Sequence, residues 1–386
     1  MKSPRYMINR ERMTETVLDL VRIDSHSKEE KQVADYLGRA LREAGCEVRV
    51  DDAGEKVGGN TGNVIGRLPG TKAGAAPLLL SAHMDTVTPG KGVKPVREAD
   101  RIRTDGTTIL GGDDKSGCAI ALEIVRTLRE SSLPYGDVDV VFSICEEIGL
   151  LGAKHFDAAS IKSRRAIVLD ATDASKLFTR APSSDHFEFV VHGLEAHAGM
   201  APETGISAVR VAAEAIAAMP LGRIDQRTTS NVVIVDGNGP TNVVPNRCVV
   251  RGEARSLDDA TLDATTAAIR ACFQDAASRA TATAGGRLHR AWIEERTERD
   301  YESMGLDDAS PTVRLVLEAA KAVNRSVATA TIGGGSDANV YNRRGIESAV
   351  LGTGMRDIHT VNEWLHLDDF YASASIVLEC VRLSAA

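Results

Sequence analysis

The stretch Val138-Asp139-Val140-Val141-Phe142-Ser143-Ile144-Cys145 is followed directly by the acidic pair Glu146-Glu147. A short, nearly continuous apolar run of this kind predicts a buried strand. Two adjacent carboxylates at its end repel each other unless a positive charge lies beside them, and a bound metal ion with a water molecule supplies such a charge. The alternative is a strand that ends at the surface, where water solvates the pair. The remainder of the chain decides between these two interpretations.

Metal-type side chains follow apolar or glycine-rich segments at other points of the chain. The run Leu78–Ala82 leads into His83 and Asp85, and the run Ala166–Leu169 leads into Asp170. Asp113 lies in a glycine-rich loop that precedes a predicted helix. Because the carboxyl ends of parallel strands meet at one edge of a sheet, where ligands bind, we expect these side chains to lie close together. A single aspartate at a strand end is usually a turn residue, but the repetition favours a common site.

Length and composition limit the number of domains, the partners and the compartment that we expect for this protein. A chain of 386 residues exceeds one ordinary hydrophobic core, so we expect two domains. A net charge of -8 argues against nucleic acid or an anionic membrane as a partner. We predict no membrane-spanning segment, because no apolar run is long enough. The segment 1–10 lacks an apolar signal sequence and the six cysteines are scattered, which predicts a reduced, cytoplasmic protein.

The predicted fold class is α/β, with a mostly parallel sheet flanked by helices, because short apolar strands alternate with helices. We assign 1–183 and 299–386 to this α/β domain, and 184–298 to an inserted domain. The insert is predicted to contain strands 185–193, 230–235, 247–256 and 288–298, and helices 204–219 and 257–284. Their order, β-α-β-β-α-β, is the ferredoxin-like α+β arrangement. Ser27 and Glu30 have the spacing of a capping box at the start of a helix.

With these motifs in place, the chain resembles the zinc exopeptidase family that contains peptidase T, the bacterial glutamate carboxypeptidases and the aminoacylases. The matching motifs occur in the family's order: His83-Met84-Asp85, Gly112-Asp113-Asp114-Lys115-Ser116-Gly117, Glu146-Glu147-Ile148-Gly149, Asp170, Glu195-Ala196-His197-Ala198-Gly199 and His359-Thr360-Val361-Asn362-Glu363-Trp364. Each motif alone is weak, whereas the ordered set is highly specific. The segments 333–339 and 352–355 are typical of the peptidase T-like branch.

The resemblance implies two zinc ions bridged by Asp113. One ion would take His83 and Asp170, and the other would take Glu147 and His359. Two Zn²⁺ bring four positive charges, which three carboxylates and one bridging hydroxide balance. Imidazole and carboxylate ligands are typical of catalytic zinc sites, and cobalt or manganese also fits such ligands.

Two more roles at this centre follow from the resemblance. Glu146 would be the general base that takes a proton from the attacking water and passes it to the leaving amine. Asp85 would hold the imidazole tautomer of His83, and the alternative for Asp85 is a plain cap or turn residue. His366 is the alternative to His359 as the last ligand.

The inserted domain carries three further candidates. The resemblance implies that the insert dimerises and that His197 stabilises the oxyanion in the partner subunit's active site. The alternative for His197 is an ordinary surface histidine. Asn242 and Arg255 match substrate-contacting positions, and an arginine suits a peptide carboxylate through bidentate bonds. The alternative for Arg255 is a surface ion pair. Ser336-Asp337 either shapes the pocket or forms a backbone turn.

The function that the resemblance implies is a metal-dependent aminopeptidase that acts on short peptides, tripeptides among them. The nearest rival keeps the chemistry and takes N-acyl amino acids as substrates. A rival of another class is a nucleotide-binding protein with a phosphate loop at 333–336, but the G-x-x-x-x-G-K-[ST] pattern is missing. A third is a catalytically silent metal-binding dimer, which the presence of Glu146 argues against.

Overall fold

The computed structural model describes residues 7–385, so most of the N-terminal segment considered above lies outside the described residues. The chain forms two compact units. The first comprises the described residues up to Ala181 and from Met304 onward, and the second is Pro182–Ser303. The second unit contains the predicted insert 184–298 and extends beyond it at both ends, because its last strand continues to Tyr301.

The helices of the described residues are the following: α1 (Arg10–Val21), α2 (Lys31–Glu43), α3 (Ala53–Val57), α4 (Gly112–Glu130), α5 (Leu151–His155), α6 (Ala208–Ala218), α7 (Asp259–Arg279), α8 (Pro311–Ala322), α9 (Asp337–Arg343) and α10 (Leu367–Ser384). Among residues 7–385, no helix has both the length and the apolar character needed to cross a membrane.

The strands of the described residues are the following: β1 (Glu47–Val50), β2 (Val64–Leu68), β3 (Leu78–His83), β4 (Val96–Arg97), β5 (Arg101–Arg103), β6 (Val138–Ser143), β7 (Arg165–Val168), β8 (Lys176–Ala181), β9 (Ser183–His192), β10 (Gly222–Arg223), β11 (Thr228–Asp236), β12 (Arg247–Ser256), β13 (Thr281–Ala284), β14 (Arg287–Arg290), β15 (Trp292–Tyr301), β16 (Met304–Gly305), β17 (Ala328–Thr331), β18 (Glu347–Leu351), β19 (Met355–Arg356) and β20 (Trp364–His366).

The first unit is built around one large sheet with the order β1-β2-β6-β3-β7-β18-β8-β16, and β17 pairs with β8. The four central strands β6, β3, β7 and β18 are parallel to one another. The pairs β1-β2, β2-β6, β18-β8 and β8-β16 are antiparallel. The parallel arrangement predicted from the sequence therefore holds for the centre, while the sheet as a whole is mixed. Every residue of β3 and β6 is buried, which is why both strands are almost continuously apolar.

The second unit is a ferredoxin-like α+β unit. Its strand order is β10-β11-β12-β9-β15, and all neighbours are antiparallel. The helices α6 and α7 follow the first and third long strands, so the element order is the predicted β-α-β-β-α-β. Phe189, Phe273 and Ile269 belong to a core of its own.

Local differences from the predictions have identifiable reasons. The predicted helix 257–284 ends at Arg279, and residues 281–284 form a hairpin with β14 instead. Their sequence, Thr-Ala-Thr-Ala, suits a strand as well as a helix end, so pairing with β14 decides. Ser27 forms no capping box, because its hydroxyl donates to Asp85 and α2 begins only at Lys31. The segment after Gly335 forms α9, where Ser336 and Asn339 make a capping box.

Candidate metal centre

The ends of three parallel strands bring the first candidate side chains together. His83 is the last residue of β3, Glu146 and Glu147 follow β6, and Asp170 follows β7. The register pairs His83 with Ser143 of β6. Because the three strands are parallel neighbours, their carboxyl ends lie at the same edge of the sheet.

Asp113 lies between two histidines. Its Oδ1 is 3.2 Å from His83 Nε2, and its Oδ2 is 3.2 Å from His359 Nε2. Asp113 lies at the start of α4 but has non-helical φ and ψ angles, as does Asp114. The carboxylate therefore projects from a kink before the regular helix, with one oxygen toward each imidazole.

Two trios of donor atoms share Asp113. The first is His83, Asp113 and Asp170, and the second is Asp113, Glu147 and His359. The Nε2 of His83 is 3.8 Å from Asp170 Oδ1, and the Nε2 of His359 is 3.1 Å from Glu147 Oε1. Ligands about 2.1 Å from a common zinc ion in a tetrahedron are about 3.4 Å apart, so these separations suit a metal centre. All five predicted ligands thus lie in two trios.

The charges in this cluster also call for cations. Burial and the neighbouring carboxylates raise the pKa values of Glu146, Glu147 and Asp170. For Glu146, the charge of Asp170 adds to burial. Burying several carboxylates together is costly unless cations compensate them. Divalent ions between the trios would supply that compensation, and the hard oxygen and imidazole donors fit such ions.

The ring of His83 is oriented by the segment that follows it. Its Nδ1 is 2.9 Å from the backbone oxygen of Asp85 and 3.5 Å from Asp85 Oδ1. Both neighbours are acceptors, so Nδ1 donates its proton to them, and Nε2, on the side of Asp113, is the nitrogen that would ligate a metal ion. The sequence-based prediction assigned this role to the Asp85 carboxylate, and the shorter contact is made by the Asp85 backbone.

The Asp85 carboxylate holds the turn that carries the acidic pair. Its Oδ1 accepts the backbone N–H of Glu146 at 2.9 Å, and its Oδ2 accepts the backbone N–H of Glu147 at 3.2 Å. The hydroxyl of Ser27 donates to the same Oδ2 at 2.6 Å. Burial opposes ionisation, but the bonds from His83, Ser27 and the backbone of Glu146 leave the pKa of Asp85 lowered. The charged carboxylate is therefore a fixed anchor under the turn.

Glu146 is close to the trios but belongs to neither. Its Oε2 is 4.0 Å from His83 Nε2, and the residue is buried. Its carboxylate thus has no assigned ligand role and remains available for proton transfer. A raised pKa brings a carboxylate closer to the range in which a general base works well.

The two competing C-terminal histidines have different surroundings. His359 faces Asp113 and Glu147, whereas His366 Nδ1 is 3.1 Å from Asp369 Oδ2 beside the start of α10. The His359 side chain is 48% exposed while that of His83 is 2% exposed, so the two trios differ in access to water. The carboxylates of Asp113 and Glu147 raise the pKa of His359 to about 10.

The candidates of the second unit lie in its loops and on one strand. His197 and Asn242 are exposed, and the backbone N–H of Ala198 donates to the backbone oxygen of Asn242 at 2.9 Å. Arg255 lies on β12, where its guanidinium donates to both carboxylate oxygens of Glu253 at 3.1 Å and 2.9 Å. This ion pair is the alternative that the sequence left open for Arg255.

Several buried acids were given no role by the sequence analysis. Asp114 accepts the backbone N–H of His83 at 3.2 Å and that of Gly117 at 3.1 Å. A Cβ at Gly117 would lie 2.3 Å from the oxygen of Leu169, so only glycine allows α4 this close to the strand end. Asp114 and Glu363 lie inside the family-type motifs, which was the available signal. For Glu30, the spacing suggested a helix cap instead.

Comparison with known proteins places this arrangement in a family. Residues 79–383 match the model of the peptidase family M20/M25/M40. The chain therefore belongs to this family of peptidases.

Three relatives resemble the chain over nearly its whole length. A Bacillus subtilis protein, the uncharacterized protein YqjE, is 37% identical over 98% of this chain and 100% of its own length. The crystal structure of the aminopeptidase PepT from Bacillus cereus has a TM-score of 0.89 and 35% identity, covering 98% of this chain and 100% of that one. A tripeptidase from Staphylococcus aureus has a TM-score of 0.92 and 32% identity, covering 98% and 99%.

Proposed function

We propose that this protein is a metal-dependent aminopeptidase of the peptidase T type that hydrolyses short peptides, tripeptides among them. The observation that carries the proposal is the pair of His-carboxylate trios sharing Asp113, with Glu146 beside them and outside both. The relatives described as an aminopeptidase and a tripeptidase, which align along almost the whole chain, support the choice of peptide substrates.

The proposed cofactor is a pair of divalent metal ions, zinc in the first instance. His83 and Asp170 would hold one, Glu147 and His359 the other, and Asp113 both. When bound, such ions polarise the scissile carbonyl and lower the pKa of water. Cobalt and manganese suit the same donors.

The chain's own residues then divide the remaining work. Glu146 accepts the proton of the attacking water and delivers it to the leaving amine. Asp85 keeps the backbone of the Glu146-Glu147 turn in place through two N–H bonds. Its backbone oxygen keeps the proton of His83 on Nδ1. The base Glu146 and the residue that holds its turn, Asp85, are thus fixed by hydrogen bonds before substrate binds, which makes them a preorganised group.

The residues of the second unit are proposed to act on the substrate. His197 would donate a hydrogen bond to the oxyanion, in the partner subunit's active site. Asn242 and Arg255 would bind the peptide, and Arg255 would exchange its bonds with Glu253 for bonds to a substrate carboxylate. The exposure of His197 and Asn242 supports this, because a substrate-binding group needs access.

A homodimer formed through the second unit is also proposed. Strand β11 pairs with β12 on one side, while β10 covers its other side only at Thr229 and Ser230. Beyond that point Val233, Ile234 and Val235 are exposed, at 69%, 39% and 54%. An uncovered apolar strand edge of this kind can pair with a second copy.

A cytoplasmic location is proposed from the thiols. The six cysteines of the chain are all free, and five of them are buried. Free thiols of this kind suit a reducing compartment.

A substrate panel tests the function. Di-, tri- and tetrapeptides and N-acetyl amino acids are incubated with the protein supplied with zinc, cobalt or manganese in turn. We expect release of the N-terminal residue from free peptides and highest kcat/KM for tripeptides. Cleavage of the N-acetyl amino acids with no cleavage of peptides would overturn the aminopeptidase and favour the amidohydrolase.

A further inference from the structure

Two buried glutamates outside both trios contact the backbone beside the proposed ligands. Glu363 is 1% exposed and Glu30 is 0% exposed. Neither carboxylate has a salt-bridge partner among the described residues. Both oxygens of Glu363 and the Oε1 of Glu30 accept backbone N–H groups instead. Such carboxylates are costly to bury, so their contacts need a reason.

Glu363 holds the loop that carries Asp113. Its Oε2 accepts the backbone N–H of Leu110 and of Gly111, each at 2.8 Å, and its Oε1 accepts that of Asp113 at 3.0 Å. Glu363 also follows His359 by four residues in the sequence. One carboxylate thus joins the segment of His359 to the loop of the shared ligand.

Glu30 holds the turn of the acidic pair from its other end. Its Oε1 accepts the backbone N–H of Cys145 at 3.0 Å. The next two backbone N–H groups of the turn, those of Glu146 and Glu147, donate to the carboxylate of Asp85. Cys145 has a φ of 52°, in the left-handed region that a non-glycine residue adopts only when its surroundings hold it there. Three consecutive backbone donors are therefore fixed by two buried carboxylates.

We propose that Glu363 and Glu30 are positioning residues of the metal centre: Glu363 aims Asp113 at both ions, and Glu30 aims Glu147 at the ion shared with His359. This inference rests on the metal centre of the proposed function, but not on its substrate. Substituting Glu363 should weaken the binding of both ions, because both trios contain Asp113. Substituting Glu30 should weaken the binding of one ion only, because Glu147 belongs to one trio.

The atoms used by each carboxylate predict opposite responses to the same isosteric change. Both oxygens of Glu363 accept N–H groups, so an amide NH₂ at either position would face a backbone donor. Glu30 makes its contacts through Oε1, and Oε2 has no hydrogen-bond partner among residues 7–385. Glutamine can keep the accepting oxygen of Glu30 but cannot replace both oxygens of Glu363.

The test is a zinc titration of the metal-free wild type and of the Glu363→Gln, Glu30→Gln and Glu30→Leu variants, followed by calorimetry. Glu29→Gln is the matched control, since Glu29 is exposed and pairs with Lys91 at 2.6 Å. We expect Glu363→Gln to weaken both zinc sites by about 10- to 100-fold, as loss of outer-shell support does. We expect Glu30→Leu to weaken one site by a similar factor, while Glu30→Gln and Glu29→Gln stay within about twofold of wild type.

Two results would overturn the inference. One is zinc affinity of Glu363→Gln within about twofold of wild type, and the other is equal weakening by Glu30→Gln and Glu30→Leu. If Glu30→Leu does not fold, Glu30→Asp replaces it. The aspartate keeps the charge but withdraws the carboxylate by one methylene, so this variant should weaken zinc binding at one site. Unchanged affinity would overturn the role of Glu30. If wild type binds two zinc ions but cleaves no peptide, the proposed function fails while these titrations still decide the inference. If wild type binds no zinc, both fail.

Discussion

Apart from the half-exposed His359 and the partly buried Arg255, the candidate functional residues of the two units differ in burial. In the first unit, His83, Asp113 and Glu146 are buried and held by hydrogen bonds within the unit. In the second unit, His197 and Asn242 are exposed and lie in loops. The difference indicates that the metal centre is assembled by the fold of one unit, whereas the proposed substrate contacts need the substrate to complete them.

Removing the metal should have the largest effect on activity, because the metal centre of the first unit would lose its function. After dialysis against a chelator, we expect no detectable peptide hydrolysis and recovery on addition of zinc, because the chemistry needs the polarised water. The thermal unfolding of the metal-free protein should also depend on pH. Full activity after verified removal of all metal would contradict the proposal.

The direction of that pH dependence follows from the pKa shifts. Burial raises the pKa values of Glu146 and Asp170, and the bonds to Asp113 and Glu147 raise the pKa of His359 to about 10. A group whose pKa is raised in the folded state stabilises it most when protonated, so stability is lost as pH rises. We therefore expect the Tm of the metal-free protein to fall as the pH rises from about 5 to about 10. A rise in Tm over this range would contradict the assigned shifts.

Matched substitutions of Glu146 and Glu147 test whether the two acids of the first unit have different roles. Glu146→Gln should lower kcat by about 100- to 10,000-fold while two metal ions remain, since only the proton acceptor is lost. The matched change Glu147→Gln should lower the metal content. Metal analysis and steady-state kinetics on both variants check this, and an active Glu146→Gln enzyme would show that another group is the base.

The second unit is tested by His197→Ala. We expect kcat to fall by about 100- to 1,000-fold with unchanged metal content, as loss of one oxyanion donor does. Mixing this variant with Glu146→Gln should restore part of the activity if the sites are shared between subunits. His289→Ala is the control, since that histidine has no proposed role. Unaltered kinetics of His197→Ala would leave the second unit without a catalytic group.

A smaller effect is expected from Asp85→Asn. The amide can accept only one of the two backbone N–H groups that the carboxylate holds, so the turn should loosen. We expect a decrease of about 10- to 100-fold in kcat/KM or in metal affinity. Asp35→Asn, an exposed residue paired with Lys31, is the control. Equal behaviour of the two variants would contradict the anchoring role.

Sequence patterns predicted the centre of the fold well because burial and period are local properties. The runs that became β3 and β6 are mostly apolar, since both faces of these strands are covered. Strand β13 was missed because its Thr-Ala-Thr-Ala sequence favours no single structure. The antiparallel direction of the outer strands was missed because it depends on pairings between distant segments.

The candidate ligands could be proposed in advance because their motifs occur in the order of the zinc exopeptidase family, and three of them lie at or just after the ends of buried strands. Two residues that support them, Glu30 and Ser27, could not be recognised in the sequence. Glu30 had the spacing of a helix cap, yet its carboxylate accepts the N–H of Cys145, which lies 115 residues away. Ser27 likewise donates to Asp85 rather than to its own helix. A local pattern cannot reveal a bond whose two ends meet only after folding.

The sequence by itself therefore determined the parallel core, the ferredoxin-like order of the second unit and the acids and imidazoles offered at the strand ends. Only the tertiary structure decided how the Glu146-Glu147 turn is held, that His359 rather than His366 faces Glu147, and that Asp113 faces both histidines. The physical reason is separation along the sequence. Burial patterns and strand ends depend on a few neighbouring residues, whereas the hydrogen bonds that orient a ligand join segments far apart in the chain.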